Sequence, residues 1–480
     1  MALRGAGETQ ETTPPDYSDP RSRVPVPGGE QSSWRGRFRR AQLEDGPTMI
    51  PRRCTNLFPG SWQACTMSPS PLPPASPDRR AFLKALGLGG GVAGLPAAVV
   101  ADERPSSLTI TGIETFALEH RLARAMGPST AMSNLKDALL VKITTDSGLV
   151  GWGETADVGG TRGIIEDHLK PQLLGKNPLE HRRLWRMLWG ANFGDGRAVA
   201  ALDIALHDLR GKALGLSIAD QYGGRLRDSV PVYAAVMNYH EGLEPEKQFP
   251  EEARQMVARG FRNLKARTGR LGHRRDLGIL TRVREAVGPE IRLLTDGNGA
   301  FTLPAAVKFG KELEKLDFYF FEEPLPQGLN YAGYDELTRS LDIAVAGGEV
   351  LDSRASARDH VVKRSFDIIQ PDPTLCGGIA EVLFIAEMAR LFSIQCLPHC
   401  YAGAIADAAT LQVLSLLPPF TFGFTSDEPM LEYDAGENPF RDEVVPAGFR
   451  LAEGRFEIPT GPGLGIEVDE AAVRKYARPR

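Results

Sequence analysis

The chain has little of several things that would narrow its class at once. Only 5 cysteines occur in 480 residues. Cys54 and Cys65 fall in an N-terminal stretch unlike the rest, which leaves Cys376, Cys396 and Cys400 for the folded part. An odd number argues against a disulfide framework, and nothing in the sequence requires an oxidising compartment. Long basic runs are also missing. The formal net charge is −5 with charges dispersed, so no surface is set up to track a phosphate backbone and nucleic acid is not an expected partner. No apolar run is long enough to span a bilayer, so no stable membrane anchor is expected.

The first hundred residues lack periodic hydrophobicity and are rich in Pro, Ser and Arg, a composition that cannot bury a core. Residues 1–76 are therefore expected to be unstructured, or to precede a true start at Met67. Within residues 77–104, Arg79-Arg80-Ala81-Phe82-Leu83-Lys84 leads into a weakly apolar Gly/Ala run ending at Val99-Val100-Ala101. That pattern resembles a twin-arginine export signal and implies a periplasmic protein, cytoplasmic if the signal does not function. A flexible basic linker is the alternative.

From residue 105 the pattern is that of a folded protein. Leu108-Thr-Ile-Thr-Gly-Ile-Glu-Thr-Phe116 alternates, Ala138–Thr145 reads as a second strand and Val150–Glu154 as a third, and Ala198–Leu209 carries helical spacing. Residues 105–229 are expected to form an α+β domain. A different rhythm follows over 230–440: short apolar runs at Val232–Val236, Asn263–Arg267, Ile291–Asp296, Phe318–Glu322, Ile343–Glu349, Phe366–Asp372 and Ser393–His399, with amphipathic helices between. A repeat of roughly 25 to 30 residues suits strand–helix units of α/β type. A doubly wound open sheet competes with a barrel. The barrel is favoured because nearly every run ends on a charged or polar residue, where barrel loops assemble a site.

Three strand ends carry carboxylates: Asp296 in Leu-Thr-Asp-Gly-Asn-Gly, Glu322 in Phe-Glu-Glu-Pro and Glu349 in Ala-Gly-Gly-Glu. Three converging anions need a cation, and oxygen-only donors select a hard ion such as Mg²⁺. Any one of them alone would read as a cap or surface charge. Asn298 and Glu323 are placed to support them by hydrogen bonds. The next two strand ends bring Asp372 and His399, a carboxylate–imidazole pair suited to general acid/base work. On the second barrel strand, alternation puts Lys265 and Arg267 on one face, pointing inward. They can pair with a substrate carboxylate, or they can simply neutralise the acids. Glu432 falls where an eighth strand should end and is expected to donate a hydrogen bond as a protonated acid; a surface acid is its plain alternative.

Taken in order, these phrases resemble the enolase superfamily, and within it the mandelate racemase subgroup. The likeness runs from Ser107 to Gly465 and includes Gly-Trp-Gly-Glu (151–154), Ala-Leu-Asp-Ile-Ala-Leu-His-Asp-Leu-Arg-Gly-Lys-Ala-Leu-Gly (201–215), Lys265-Ala-Arg267, Asp296, Glu322-Glu-Pro, Glu349, Asp372 with Gly377-Gly378, and His399. The resemblance implies a (β/α)7β-type TIM barrel capped by the N-terminal α+β domain, with residues 441–480 returning to complete the cap. It implies Mg²⁺ on Asp296, Glu322 and Glu349, a catalytic dyad of Asp372 and His399, Glu432 as a hydrogen-bonding acid, and α-proton abstraction to a metal-stabilised enediolate. The usual Lys-x-Lys is Lys-x-Arg here. Arginine is a poor base, so dehydration of a sugar acid to a 2-keto-3-deoxy acid with His399 alone is favoured over racemisation, epimerisation or cycloisomerisation on the same site. A non-catalytic sugar-acid binder is a further alternative. By the same resemblance, substrate choice sits in a capping loop expected at Glu119–Leu135, with Arg121 and Arg124 as candidate contacts, and the protein is expected to be a homo-oligomer.

Overall fold

The computed structural model describes residues 108–192, 194–420 and 427–479. The N-terminal extension and the Arg79-Arg80 segment lie outside the described residues. No described helix is long and apolar enough to cross a membrane.

The cap begins as an antiparallel sheet of β1 (Ile110–Gly127), β2 (Ser133–Thr145) and β3 (Val150–Thr155). The stretch expected as a loop at 119–135 is mostly strand. β1 pairs with β2 through Arg121↔Leu135 and Met126↔Ser133, so the connection is only residues 128–132. The reason is that alternation continues past the arginines: Leu122 is buried between exposed Arg121 and Ala123, and pairing satisfies backbone groups that a loop would leave to water.

The helix Gly196–Leu214 packs on this sheet. It starts on Asp195, whose side chain accepts from the N–H groups of Arg197 and Ala198. Gly153 has to be glycine, since a Cβ there would run into the backbone carbonyl of Ala201. Leu139, Val141, Ile143, Val199, Leu202 and Leu206 fill the core between sheet and helix.

Eight parallel strands follow: β4 (Ser229–Ala235), β6 (Asn263–Arg267), β7 (Arg292–Asp296), β8 (Phe318–Glu322), β9 (Ala344–Gly347), β10 (Ile368–Ile369), β11 (Gln395–Cys396) and β12 (Leu431–Asp434). β5 (Tyr239–His240) leaves this series to pair with the end of β1 in the cap. The last barrel strand, β12, pairs with the first, β4, through Glu432↔Tyr233. An open sheet would leave those two strands apart, so the barrel is the architecture. Among the described residues no ladder joins β11 to β12. Tyr233, Leu294, Phe320, Ala346, Ile368, Leu397 and Met430 fill the barrel interior.

After β12 the chain adds β13 (Leu451–Ala452) and β14 (Arg455–Glu457), the latter antiparallel to the start of β4. It then returns to the cap. Gly463 bridges to Ser217, Ala477 bridges to Leu118, and Lys142 of β2 reaches Glu470 at 2.6 Å.

Candidate active site

Parallel register brings the carboxylates together at one rim. Asp296 stands opposite Glu322 across β7 and β8, and Glu349 follows two residues beyond β9. From β6, Lys265 and Arg267 both enter this rim. Lys265 Nζ lies 2.9 and 2.8 Å from the two oxygens of Glu322, 2.5 Å from Glu432 and 3.9 Å from Asp296. Arg267 donates to Asp296 and reaches Asn298 Oδ1 at 3.3 Å. Lys265, Arg267, Asp296, Glu322 and Glu432 are buried, Asp296 and Glu322 completely, and Glu349 is half-buried.

Burial and crowding show in the proton affinities. Burial, with Asp296, Glu432 and Glu349 nearby, pushes Glu322 up to about 8 despite Lys265. Burial also raises Glu349, and it raises Glu323 well above the carboxylate range, with Glu349 and Asp296 adding to it. Lys265 and Arg267 move the other way from what burial alone would give, both raised by the acids around them.

The imidazole of His399 sits across this cluster. Its Nδ1 lies 2.7 Å from Asp372 Oδ2, while Nε2 faces Glu349 at 3.3 Å and Glu432 at 3.9 Å. Burial would lower the His399 value, but Glu349, Glu432 and Asp372 together hold it well above the usual histidine range. Glu432 departs from expectation. Burial would raise it, yet Lys265 and His399 outweigh that and hold it down to about 2. Its Oε2 accepts from the hydroxyl of Tyr233 at 3.1 Å, and the two cations favour its charged form.

The two supporting residues carry backbone strain. Asn298 has φ 44° and Glu323 φ 39°, conformations a non-glycine residue keeps only where surrounding bonds over-determine them. Those bonds are present: Asn298 N–H donates to Asp296 Oδ1 at 2.8 Å, Gly299 N–H to the Glu323 carbonyl at 2.7 Å and Glu323 N–H to the Ala346 carbonyl at 3.0 Å. Glu323 accepts from Tyr331 and from Gly348 N–H.

Several groups at the rim were not singled out from sequence. Asn238 accepts from Arg267 Nε at 3.2 Å and donates to the Tyr401 hydroxyl at 3.3 Å. Tyr401 lies between two cations, its ring 5.5 Å from the Arg267 guanidinium and 5.1 Å from Lys136 Nζ. The one signal for Tyr401 was its position two residues beyond His399. The candidate loop arginines do not reach this rim. Arg121 lies exposed in the paired part of β1, and Arg124 donates to the Glu241 carbonyl at 2.8 Å. The hairpin tip reaches it instead: Ser129 donates to the Gly297 carbonyl at 2.7 Å, and Arg270 holds the Ser129 carbonyl at 3.1 Å.

The donor set suits a hard cation. Asp296, Glu322 and Glu349 offer only oxygen donors, and the raised proton affinities of Glu322 and Glu349 record anions crowded together in a buried site, a strain that a bound divalent ion would relieve. The spacing is wider than a bound ion would impose, because Lys265 draws in Glu322 and Arg267 draws in Asp296. Among the described residues, the group of three potential ligands within 4.8 Å of one another is His181, Asp203 and His207. Its atoms are already engaged. His181 Nε2 contacts Asp203 at 2.9 Å, His207 Nδ1 contacts the Asp203 carbonyl at 2.9 Å and His207 Nε2 the Tyr222 hydroxyl at 2.7 Å. The second Asp203 oxygen takes Ile379 N–H at 2.9 Å. This is a hydrogen-bonded tie between cap and barrel. The three folded-part cysteines are buried and free.

Comparison with known proteins gives a consistent picture. The model for the mandelate racemase / muconate lactonizing enzyme N-terminal domain matches residues 113–223, and that for the enolase C-terminal domain-like family matches residues 248–472. A D-galactarolactone cycloisomerase of Agrobacterium fabrum is 32% identical over 379 residues, which covers 78% of this chain and 100% of the relative. An arabinonate dehydratase of Saccharolobus solfataricus is 30% identical over 350 residues, covering 71% of this chain and 90% of that protein. The crystal structure of the 3,6-anhydro-D-galactonate cycloisomerase from Zobellia galactanivorans superposes with a TM-score of 0.69 at 31% identity, covering 77% of this chain and 100% of that one.

Proposed function

Because the chain belongs to the mandelate racemase and muconate lactonizing enzyme family of the enolase superfamily, we propose that it is a Mg²⁺-dependent lyase that dehydrates a sugar acid to a 2-keto-3-deoxy acid. The observation that carries this reading is the His399–Asp372 pair, whose Nε2 faces the acid cluster. Dehydratases of arabinonate and D-galactonate among the relatives support it.

The chain's own groups divide the work. Asp372 fixes the imidazole so that Nε2 faces the substrate. Neutralising Glu349 and Glu432 removes the field that keeps Nε2 protonated, which leaves it able to take the proton from the α-carbon. The electron pair forms the Cα–Cβ double bond as the Cβ–O bond breaks. His399 returns its proton to the departing hydroxyl, so water leaves and the enol tautomerises to the keto acid. Lys265 and Arg267 balance the charge that grows on the substrate carboxylate. Asp296, Glu322 and Glu349 would hold Mg²⁺, which as a Lewis acid supplies most of that stabilisation when bound. Arg267 keeps its proton, so no second base stands on the opposite face.

Cycloisomerisation of a sugar-acid lactone is the second reading, supported by the cycloisomerase relatives. Incubating aldonic acids, aldaric acids and their lactones with and without Mg²⁺ in deuterated solvent separates the readings. Keto-acid formation that stops on chelation supports dehydration. Isomerised product without water loss supports the alternative, and α-deuterium exchange alone defeats both. The Arg79-Arg80 segment supports a further proposal, export to the periplasm, tested by fractionating cells that express the chain with and without Arg79→Lys/Arg80→Lys.

A further inference from the structure

A cleft of about 600 Å³ lies between cap and barrel, and its lining shares no residue with the acid cluster. One wall is the cap: the helix His181–Asn192 contributes Arg182, Arg183 and Trp185, and the helix Gly196–Leu214 contributes Arg210. The other wall is the barrel, with Arg354 from the helix Arg354–Lys363 and Phe384 from the helix Ile379–Leu391.

Two of the four guanidiniums are compensated. Arg183 pairs with Glu180 at 2.9 Å, and Arg354 donates to Glu381 at 2.8 Å through Nε. Arg182 and Arg210 make no hydrogen bond or ion pair among the described residues. The cleft therefore holds two uncompensated positive charges in a chain whose net charge is −5. Arg354 is held flat against Phe384 at 4.0 Å and Trp185 at 5.0 Å, and the Trp185 indole N–H is buried without an acceptor. Unpaired guanidinium forks call for an oxygen acceptor carrying negative charge. That field also disfavours a cation at His181, which lines the same cleft.

We propose that this cleft binds an organic or inorganic polyanion carrying at least two carboxylate or phosphate groups. Arg182 and Arg210 meet its charges. The cleft is a ligand site separate from the one that takes the substrate.

Isothermal titration of the full chain with pyrophosphate and, separately, with citrate tests this, in EDTA and at physiological ionic strength. One-to-one binding of at least one anion is expected, weakened tenfold or more in Arg182→Ala/Arg210→Ala and unchanged in His399→Asn. Preference for pyrophosphate or citrate then identifies phosphate or carboxylate as the source. An unaltered melting temperature certifies that the double variant is folded, and the single variant Arg182→Ala serves if it is not. No heat from either anion up to millimolar concentration overturns the proposal, as does an affinity the arginine substitutions leave unchanged. A wild-type oligomer that dissociates in the variant, with no anion bound, also overturns it and assigns the cleft to a second copy.

Discussion

Thr374 holds one oxygen of Asp372 with both its N–H and its hydroxyl, each at 2.6 Å, while the other oxygen lies 2.7 Å from His399 Nδ1. The carboxylate is oriented by its own loop, independently of the imidazole. The histidine docks on a fixed acceptor, which leaves Nε2 as the ring atom turned toward Glu349.

Replacing His399 with Asn removes the proton carrier and keeps a polar side chain of similar reach. The turnover number should fall by about 10² to 10⁴, with substrate affinity in the presence of Mg²⁺ within a few-fold of wild type. Steady-state kinetics beside equilibrium binding measures both; retention of turnover would remove His399 from the mechanism.

Lys265 is buried against Glu322 and Glu432. Lys265→Met should destabilise the metal-free protein by about 3 to 5 kcal/mol, because two acids lose their partner in a dry site. Chemical denaturation reads this out. A wild-type midpoint would mean that solvent or protonation compensates the acids.

Mg²⁺ should raise the melting temperature, since an ion that binds the folded form at 100 times its Kd adds about 2.7 kcal/mol. Glu349→Gln should abolish that shift and leave the metal-free melting temperature the same or higher, as burial disfavours the charged form of this residue. An undiminished Mg²⁺ shift in the variant would take Glu349 out of the ligand set.

Glu154 is completely buried and pushed up by burial to about 7, although it accepts from Gly403 and Ala406 N–H groups. Its folded value lies above the ordinary 4.5, so the native state holds its proton more tightly than the unfolded chain does. The stability it contributes is complete below about 4.5 and is lost as pH rises through about 7, a change of roughly 3 kcal/mol. Comparing unfolding free energies of wild type and Glu154→Gln between pH 4 and 8 isolates this, and parallel curves would contradict it.

What could be read in advance was whatever local periodicity encodes. Asp296 and Glu322 end apolar runs that become barrel strands, and Lys265 and Arg267 alternate on one short strand. Residues fixed by tertiary contact could not be read that way. Asn238 and Ser129 sit in irregular connections and gain meaning only because the barrel rim and the hairpin tip arrive beside them. The hairpin reads as a loop in the sequence because arginines interrupt its composition, while Leu122 keeps the strand alternation. The downward shift at Glu432 comes from Lys265, which lies 167 positions earlier and 2.5 Å away. Sequence spacing carries no trace of that distance.

Glu154 belongs to β3 of the cap, yet the N–H groups it holds open the helix Ala404–Leu416, directly after the loop that carries His399. The cap is thus part of the foundation under His399 as well as the source of the hairpin tip at the acid rim. Grafting a foreign cap to change substrate preference would import a new support for the imidazole along with the new hairpin. A swap confined to residues 128–132 would alter the hairpin tip and leave that support in place.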